Sequence, residues 1–154
     1  MAIRVRKFRK ADATQVSRLI KEAFLGLVFR PYSKSSVEAQ IKDNSAKTLI
    51  EGAKNTNYFV ATENNRILGV GGYDSKKVRT FFVKPGLQGR GIGGMIIERV
   101  LREAKKDGLK NLECRSTFYA EQFYTKFGFE KIKTIEVKSH GVPIIFVEMT
   151  KRLP

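Results

Sequence analysis

The sequence predicts a single α+β domain in which a mixed, mostly antiparallel sheet of about seven strands is flanked by helices. Three observations lead there. Several short segments alternate apolar and polar residues with the period of two that strands require, and longer segments repeat apolar residues at the helical period of 3.6. One strand-like segment also runs through a glycine-rich turn straight into a helical pattern. A chain of 154 residues can bury one sizeable core without disulfides or metals, and no composition shift marks an internal boundary, so residues 1–154 are read as one domain.

The elements follow in order. Ile3 to Phe8 alternates apolar and basic residues and reads as a strand, and Asp12 is placed to cap the helix that carries Val16, Leu19, Ile20, Ala23, Phe24 and Leu27 on one face. After an aromatic and basic linker, Ser35 or Ser36 can cap a second helix through Val37 and Ile41, and Ala46 to Ala53 makes a third. Asn57 to Thr62 and Arg66 to Tyr73 form a hairpin about Glu63-Asn64-Asn65, with Gly69, Gly71 and Gly72 marking a bulge or a close backbone approach. Lys77 to Val83 is a fourth strand. A long helix from Gly91 to near Gly108 leads to a fifth strand, Leu109 to Arg115. Tyr119 to Phe127 is a short helix, and Phe129 to Lys138 and Val142 to Thr150 close the domain as a hairpin about Ser139-His140-Gly141.

The turn after the fourth strand carries the most chemistry. Four glycines between Gly86 and Gly93 permit a backbone too tight for side chains, leaving N–H groups converging at the positive end of a helix dipole. Such a turn holds an anion such as a pyrophosphate. It is not a Walker loop, since Gly94-Met95 stands where Lys and Ser or Thr are needed. Gly89-x-Gly91-x-x-Gly94 matches the dinucleotide spacing, with Glu113 about 20 residues on, but Lys84 to Gln88 separate strand and glycines and the chain is short for repeated βα units.

The run Val83-x-Pro85-x-x-Gln88-Gly89-x-Gly91-x-Gly93 resembles the acetyl-CoA signature of the GCN5-related N-acetyltransferase (GNAT) superfamily, and Ala120-x-x-Phe123-Tyr124-x-x-Phe127-Gly128-Phe129 is similar to a second block of that family. The resemblance implies a GNAT-like fold splayed between strands 4 and 5, and acetyl-CoA as acyl donor to an amine. It implies that Phe81 and Val83 meet the pantetheine arm through their backbones as an added strand would. It places the pyrophosphate on Gln88, Gly89, Arg90, Gly91, Ile92, Gly93 and Gly94, and Thr117 where members often have an asparagine that meets the CoA arm. Tyr124 takes the position of the acid that protonates the leaving thiolate, and the Val83 N–H that of the oxyanion donor. Arg30 and Tyr32 fall in the region that lines the acceptor side. Lys77 departs from the family pattern, standing where many members carry a glutamate base, which leaves Asp74, Glu113 through a water, and His140 as candidates.

Composition bounds the rest. Thirty basic residues against fifteen acidic ones give a net charge of +15, which invites acidic partners. The charge is scattered, without the fold signature of a nucleic-acid module, and reads as a solvated surface. No apolar run is long enough to span a bilayer, one cysteine excludes an internal disulfide, and a cytoplasmic location is the default expectation. Cys114, beside Leu112 in a strand, reads as a small buried hydrophobe rather than a nucleophile. One histidine and these spacings assemble no metal site and no Ser/His/Asp set, and exposed edge strands would suit a homodimer.

Overall fold

The computed structural model describes residues 2–26, 32–87 and 89–154, so Arg30 and Gln88 lie outside the described residues. Its strands are β1 (Arg4–Lys7), β2 (Asn57–Glu63), β3 (Arg66–Tyr73), β4 (Val78–Val83), β5 (Asn111–Ser116), β6 (Glu130–Ser139) and β7 (Val142–Arg152). Its α-helices are α1 (Ala13–Leu25), α2 (Lys34–Lys42), α3 (Ala46–Gly52), α4 (Ile92–Lys106) and α5 (Glu121–Lys126). The splay expected between the fourth and fifth strands is wide enough to divide the sheet into two. One sheet has the order β1-β2-β3-β4 and the other β5-β7-β6, and every pairing within each is antiparallel.

Two cores cover the faces of the first sheet. The apolar stripe of α4, Ile92, Ile96, Ile97, Val100 and Ala104, packs with Phe59, Ala61 and Leu68, and this core runs on beneath the second sheet to Leu112, Cys114, Val147 and Met149. On the opposite face Val16, Leu19, Ile20 and Phe24 of α1 pack with Val37, Leu49, Val60, Val70 and Ile144. Strand β3 is therefore buried on both sides. Its glycines are what let α4 lie so close: a methyl on Gly71 would stand 2.6 Å from both Ile96 Cγ2 and Phe81 Cδ2, and one on Gly69 2.8 Å from Ile96 Cδ1.

Local capping signals were displaced in two places. Asp12 does not cap α1; its carboxylate accepts the Arg9 N–H of the preceding 3-10 turn at 2.7 Å and both Arg6 guanidinium nitrogens at 2.8 and 3.0 Å, tying β1 to the helix start. The cap of α2 is Ser33, whose Oγ accepts the Ser36 N–H, while the Ser36 hydroxyl donates back to the Ser33 carbonyl. Both hairpin loops have two residues, because Glu63 pairs with Arg66 and Ser139 with Val142. Positive φ falls on Asn64 and Asn65 (51° and 65°) and on His140 and Gly141 (49° and 76°), the backbone sign that matches strand twist. Among the described residues no helix is long and apolar enough to cross a membrane.

The close approach of α4 to β3 predicts that Gly71→Ala lowers stability by about 1–3 kcal/mol, the usual cost of overpacking, as read from urea unfolding midpoints. An unchanged midpoint would mean that the helix is not seated on bare strand backbone.

Candidate functional site

Among the described residues one backbone bridge joins the two sheets. Lys77 and Glu113 form a parallel bridge, with the Glu113 N–H donating to the Lys76 carbonyl at 3.0 Å, and beyond it β4 and β5 separate. The gap is a cleft of about 1190 Å³. Its walls are Lys77 and β4, the glycine turn, the end of β5 with Thr117, and Tyr119, Phe123, Tyr124 and Phe127; the ends of α1 and α2 and the β6–β7 turn face them.

A bulge sets the backbone of β4 within this cleft. Arg79 pairs with Gly72 and Phe82 with Val70, so Thr80 and Phe81 together stand opposite Gly71. Thr80 adopts φ of 53°, a conformation that costs a β-branched residue on the order of 1–3 kcal/mol and persists because the surrounding pairs impose it. Beyond the bulge the Lys84 N–H donates to the Leu68 carbonyl at 2.8 Å and Phe82 pairs with Val70. By the alternation of an antiparallel ladder, the N–H and C=O groups of Phe81 and Val83 then point away from β3 and into the cleft.

The glycine turn continues that edge. Gly89 and Gly91 have φ of 85° and 76° with open space where a side chain would be, so each is glycine for the sake of its backbone. Gly91 is the N-cap of α4. The first intrahelical donor bonded back is Met95, to the Gly91 carbonyl at 3.0 Å, which leaves the N–H groups of Ile92, Gly93 and Gly94 at the helix start as a cradle for an anion. The side chain of Ile92 enters the core, so only its backbone can serve the cleft. Gly93 and Gly94 also admit the rings of Phe123 and Phe127, which lie 3.0 and 3.2 Å from where a methyl would stand. Arg90 turns outward and meets Glu63 at 3.0 Å.

Tyr124 closes the cleft wall. It is 5% exposed and boxed by Phe81, Phe123 and Phe129 at centroid distances of 5.8, 5.4 and 5.4 Å. Burial, and then the neighbouring Cys114, push its phenol well above the usual tyrosine range, so it is a protonated acid throughout the neutral range. Burial likewise pushes the Cys114 thiol up to about 12, in keeping with an inert hydrophobe. Thr117 lines the cleft, and its Oγ accepts the Ala120 N–H at 3.2 Å at the start of α5.

Other candidates are placed differently. Tyr32 is buried outside the cleft wall, its ring 6.2 and 6.0 Å from those of Phe118 and Tyr119, and its hydroxyl accepts the Phe118 N–H at 2.8 Å. It thereby positions the segment between β5 and α5. Lys77 is on the cleft wall; burial first, and then Arg115, Arg79 and Lys76, lower its pKa, while Glu113 opposes them. Of the base candidates, Asp74 receives the Lys76 and Lys77 N–H groups at 2.9 and 2.8 Å and Arg79 Nε at 2.7 Å. Burial would raise its pKa, but these donors outweigh it and hold the carboxyl below its ordinary value. Glu113 lies 3.9 Å from Lys76. His140 does line the cleft, with Nε2 2.7 Å from Asp43 Oδ1, and the Ser139 hydroxyl donates to the same carboxylate. Sequence reasoning missed Thr80 and Asp43: the first reads as an ordinary strand residue, and the second meets the hairpin turn only in space. Among the described residues no group of three His, Cys, Asp or Glu side chains is placed to hold a metal.

A family model described as an acetyltransferase (GNAT) domain matches residues 27–153. Among solved structures, a GCN5-related N-acetyltransferase from Rhodopseudomonas palustris superposes with a TM-score of 0.91 at 19% identity, covering 99% of this chain and 97% of its own. The PaiA N-acetyltransferase from Thermoplasma acidophilum, in complex with coenzyme A, gives 0.81 at 17% identity and 99% of both chains. A ribosomal-protein-alanine N-acetyltransferase from Brucella melitensis gives 0.73 at 16% identity, covering 97% of this chain and 99% of its own. At these identities the likeness speaks for the fold. A search of curated proteins found no significant sequence match.

The surroundings of Cys114 predict that iodoacetamide leaves the native protein unlabelled at neutral pH over hours and labels one thiol at once in denaturant, as read by intact mass. Rapid labelling of the native protein would show an activated thiolate in the cleft.

Proposed function

Because the chain belongs to the GNAT acetyltransferase family, we propose that it transfers an acetyl group from acetyl-CoA directly to a primary amine. The observation that carries this reading is the cleft itself: an unpaired strand edge at Phe81 and Val83 runs into a helix start with free N–H groups, and a buried phenol faces that edge. An extended pantetheine arm fits the edge as an added strand, and a pyrophosphate fits the cradle at Gly89, Gly91, Ile92, Gly93 and Gly94. The sequence motif groups Gln88 with these residues. Arg90 lies within the same turn, and Thr117 lines the cleft where the CoA arm would pass. The structure of the Thermoplasma relative with coenzyme A supports this choice of ligand.

The chain's own groups then divide the work. The acceptor nitrogen attacks the thioester carbonyl, and the oxygen that gains charge is met by the Val83 N–H. The carbon–sulfur bond breaks, and Tyr124, protonated at neutral pH, donates its proton to the departing thiolate; the buried phenolate left behind is reprotonated by the proton that the acceptor nitrogen released. The acceptor must arrive as a neutral amine. His140, oriented by Asp43, is the one base candidate on the cleft wall and takes that proton, in place of the glutamate that Lys77 replaces.

Thiol release from acetyl-CoA over a panel of amines tests the proposal. Tyr124→Phe should lower kcat by about 100-fold with CoA affinity within about threefold of wild type, and His140→Gln should lower kcat/KM by about tenfold or more. Binding of CoA without thiol release for any amine would reduce the protein to an acyl-CoA-binding module, and a fully active Tyr124→Phe would remove the phenol from the chemistry.

A further inference from the structure

The cleft wall is cationic. Among the described residues, the charged side chains on it are Lys77, Arg79, Arg115, Lys126 and Lys138, against the single carboxylate of Asp43, which already accepts from Ser139 and His140. Arg79 is tied to Asp74 at 2.7 Å, and Glu113 sits by Lys76 at 3.9 Å. Lys77 and Arg115 have no ion-pair partner among the described residues, although Arg115 faces Glu148 across the β5–β7 ladder. Lys77 bridges Glu113, two residues before Arg115 on β5, and both cations line the concave wall, while the Glu113 carboxylate lies by Lys76. An anion entering the cleft there meets both cations at once.

We propose that Lys77 and Arg115 form an anion subsite, and that the acceptor is an amine carrying its own carboxylate or phosphate about 10 Å from the nitrogen that is acetylated. This rests on the acetyltransferase reading. The subsite is not the place of the CoA pyrophosphate. The glycine cradle follows the C-terminal end of β4 and Lys77 precedes its first residue, so six residues, or about 20 Å of strand, separate them. The reacting carbonyl lies between the Val83 N–H and Tyr124, which packs on Phe81, so it is four to six residues, or about 13 to 20 Å of strand, from Lys77, and the lysine stem shortens that reach. Acetylation of a free amino acid at its α-amine is excluded by this spacing, because the carboxylate lies next to that amine. An amine with an acidic group about two extended residues away, roughly 7 Å of chain plus a side chain, spans it. A lysine in place of the glutamate common in the family thus exchanges a base for an anchor.

The test compares acceptors matched except in charge: alanyl-glycyl tripeptide amides ending in glutamate, glutamine or lysine, with ω-aminoalkyl phosphates as the arm that separates a phosphate from a carboxylate source. Wild type should prefer the glutamate peptide to the glutamine one by about fivefold or more in kcat/KM, disfavour the lysine peptide, and lose the preference toward 0.5 M salt. Lys77→Arg should keep that order, and the double variant Lys77→Glu with Arg115→Glu should invert it. An aminoalkyl phosphate outrunning the glutamate peptide would assign the subsite to phosphate within the same proposal. Equal use of the three peptides by wild type, or an order unchanged in the double variant, overturns the subsite while leaving the acetyltransferase reading in place. Should no amine be turned over, calorimetric binding of the same peptides to CoA-saturated protein decides the subsite alone: the same charge order sustains it, and its absence overturns it.

Discussion

The structure depends on the parting of two parallel strands. β4 and β5 share one bridge, at Lys77 and Glu113, and from there on neither completes the other's ladder. An unpaired strand edge inside a protein is unfavourable, because every N–H and C=O on it must find a partner in water or in a ligand. The fold holds this edge open by filling the far side of the gap with rings. Phe81 packs on Phe123 and Tyr124, and Phe123 on Phe127, at centroid distances of 5.1 to 5.8 Å, so the sheets cannot close without displacing a buried aromatic cluster.

Glycines carry the same constraint into the helix. Gly69 and Gly71 let α4 settle on β3, Gly91 turns the chain into that helix with a left-handed backbone, and Gly93 and Gly94 let the α5 rings meet its first turn. The helix start, the strand edge and the phenol are therefore held by one contact network rather than by separate loops. This is what a reaction needs when its rate depends on placing a thioester carbonyl, a donor N–H and a proton within a few tenths of an ångström. The strain stored at Thr80 belongs to the same network, because the bulge there turns the edge of Phe81 and Val83 toward the cleft.

Much of this could be read in the sequence. Local rules were enough for the hairpin at Asn64-Asn65, for the helix that starts at Gly91, and for Cys114 as a buried hydrophobe, since each rests on a few adjacent residues. Caps were less legible: Ser33, Ser35 and Ser36 are chemically equal candidates, and which hydroxyl meets a free N–H depends on where the chain bends. The division into two sheets and the pairing of His140 with Asp43, 97 residues apart, had no local signal at all. Tyr32 shows a related difficulty: a tyrosine beside a proline looks the same whether its hydroxyl meets a substrate or, as here, the Phe118 N–H.

Amide hydrogen exchange with and without coenzyme A tests the central claim most directly, because it reads the backbone groups themselves. The account predicts that CoA slows exchange at Phe81 and Val83 and across Gly89 to Gly94 while leaving Phe82, already paired with Val70, unchanged. Protection confined to other strands, or none at saturating CoA, would contradict the claim that the open edge of β4 and the start of α4 form the binding site.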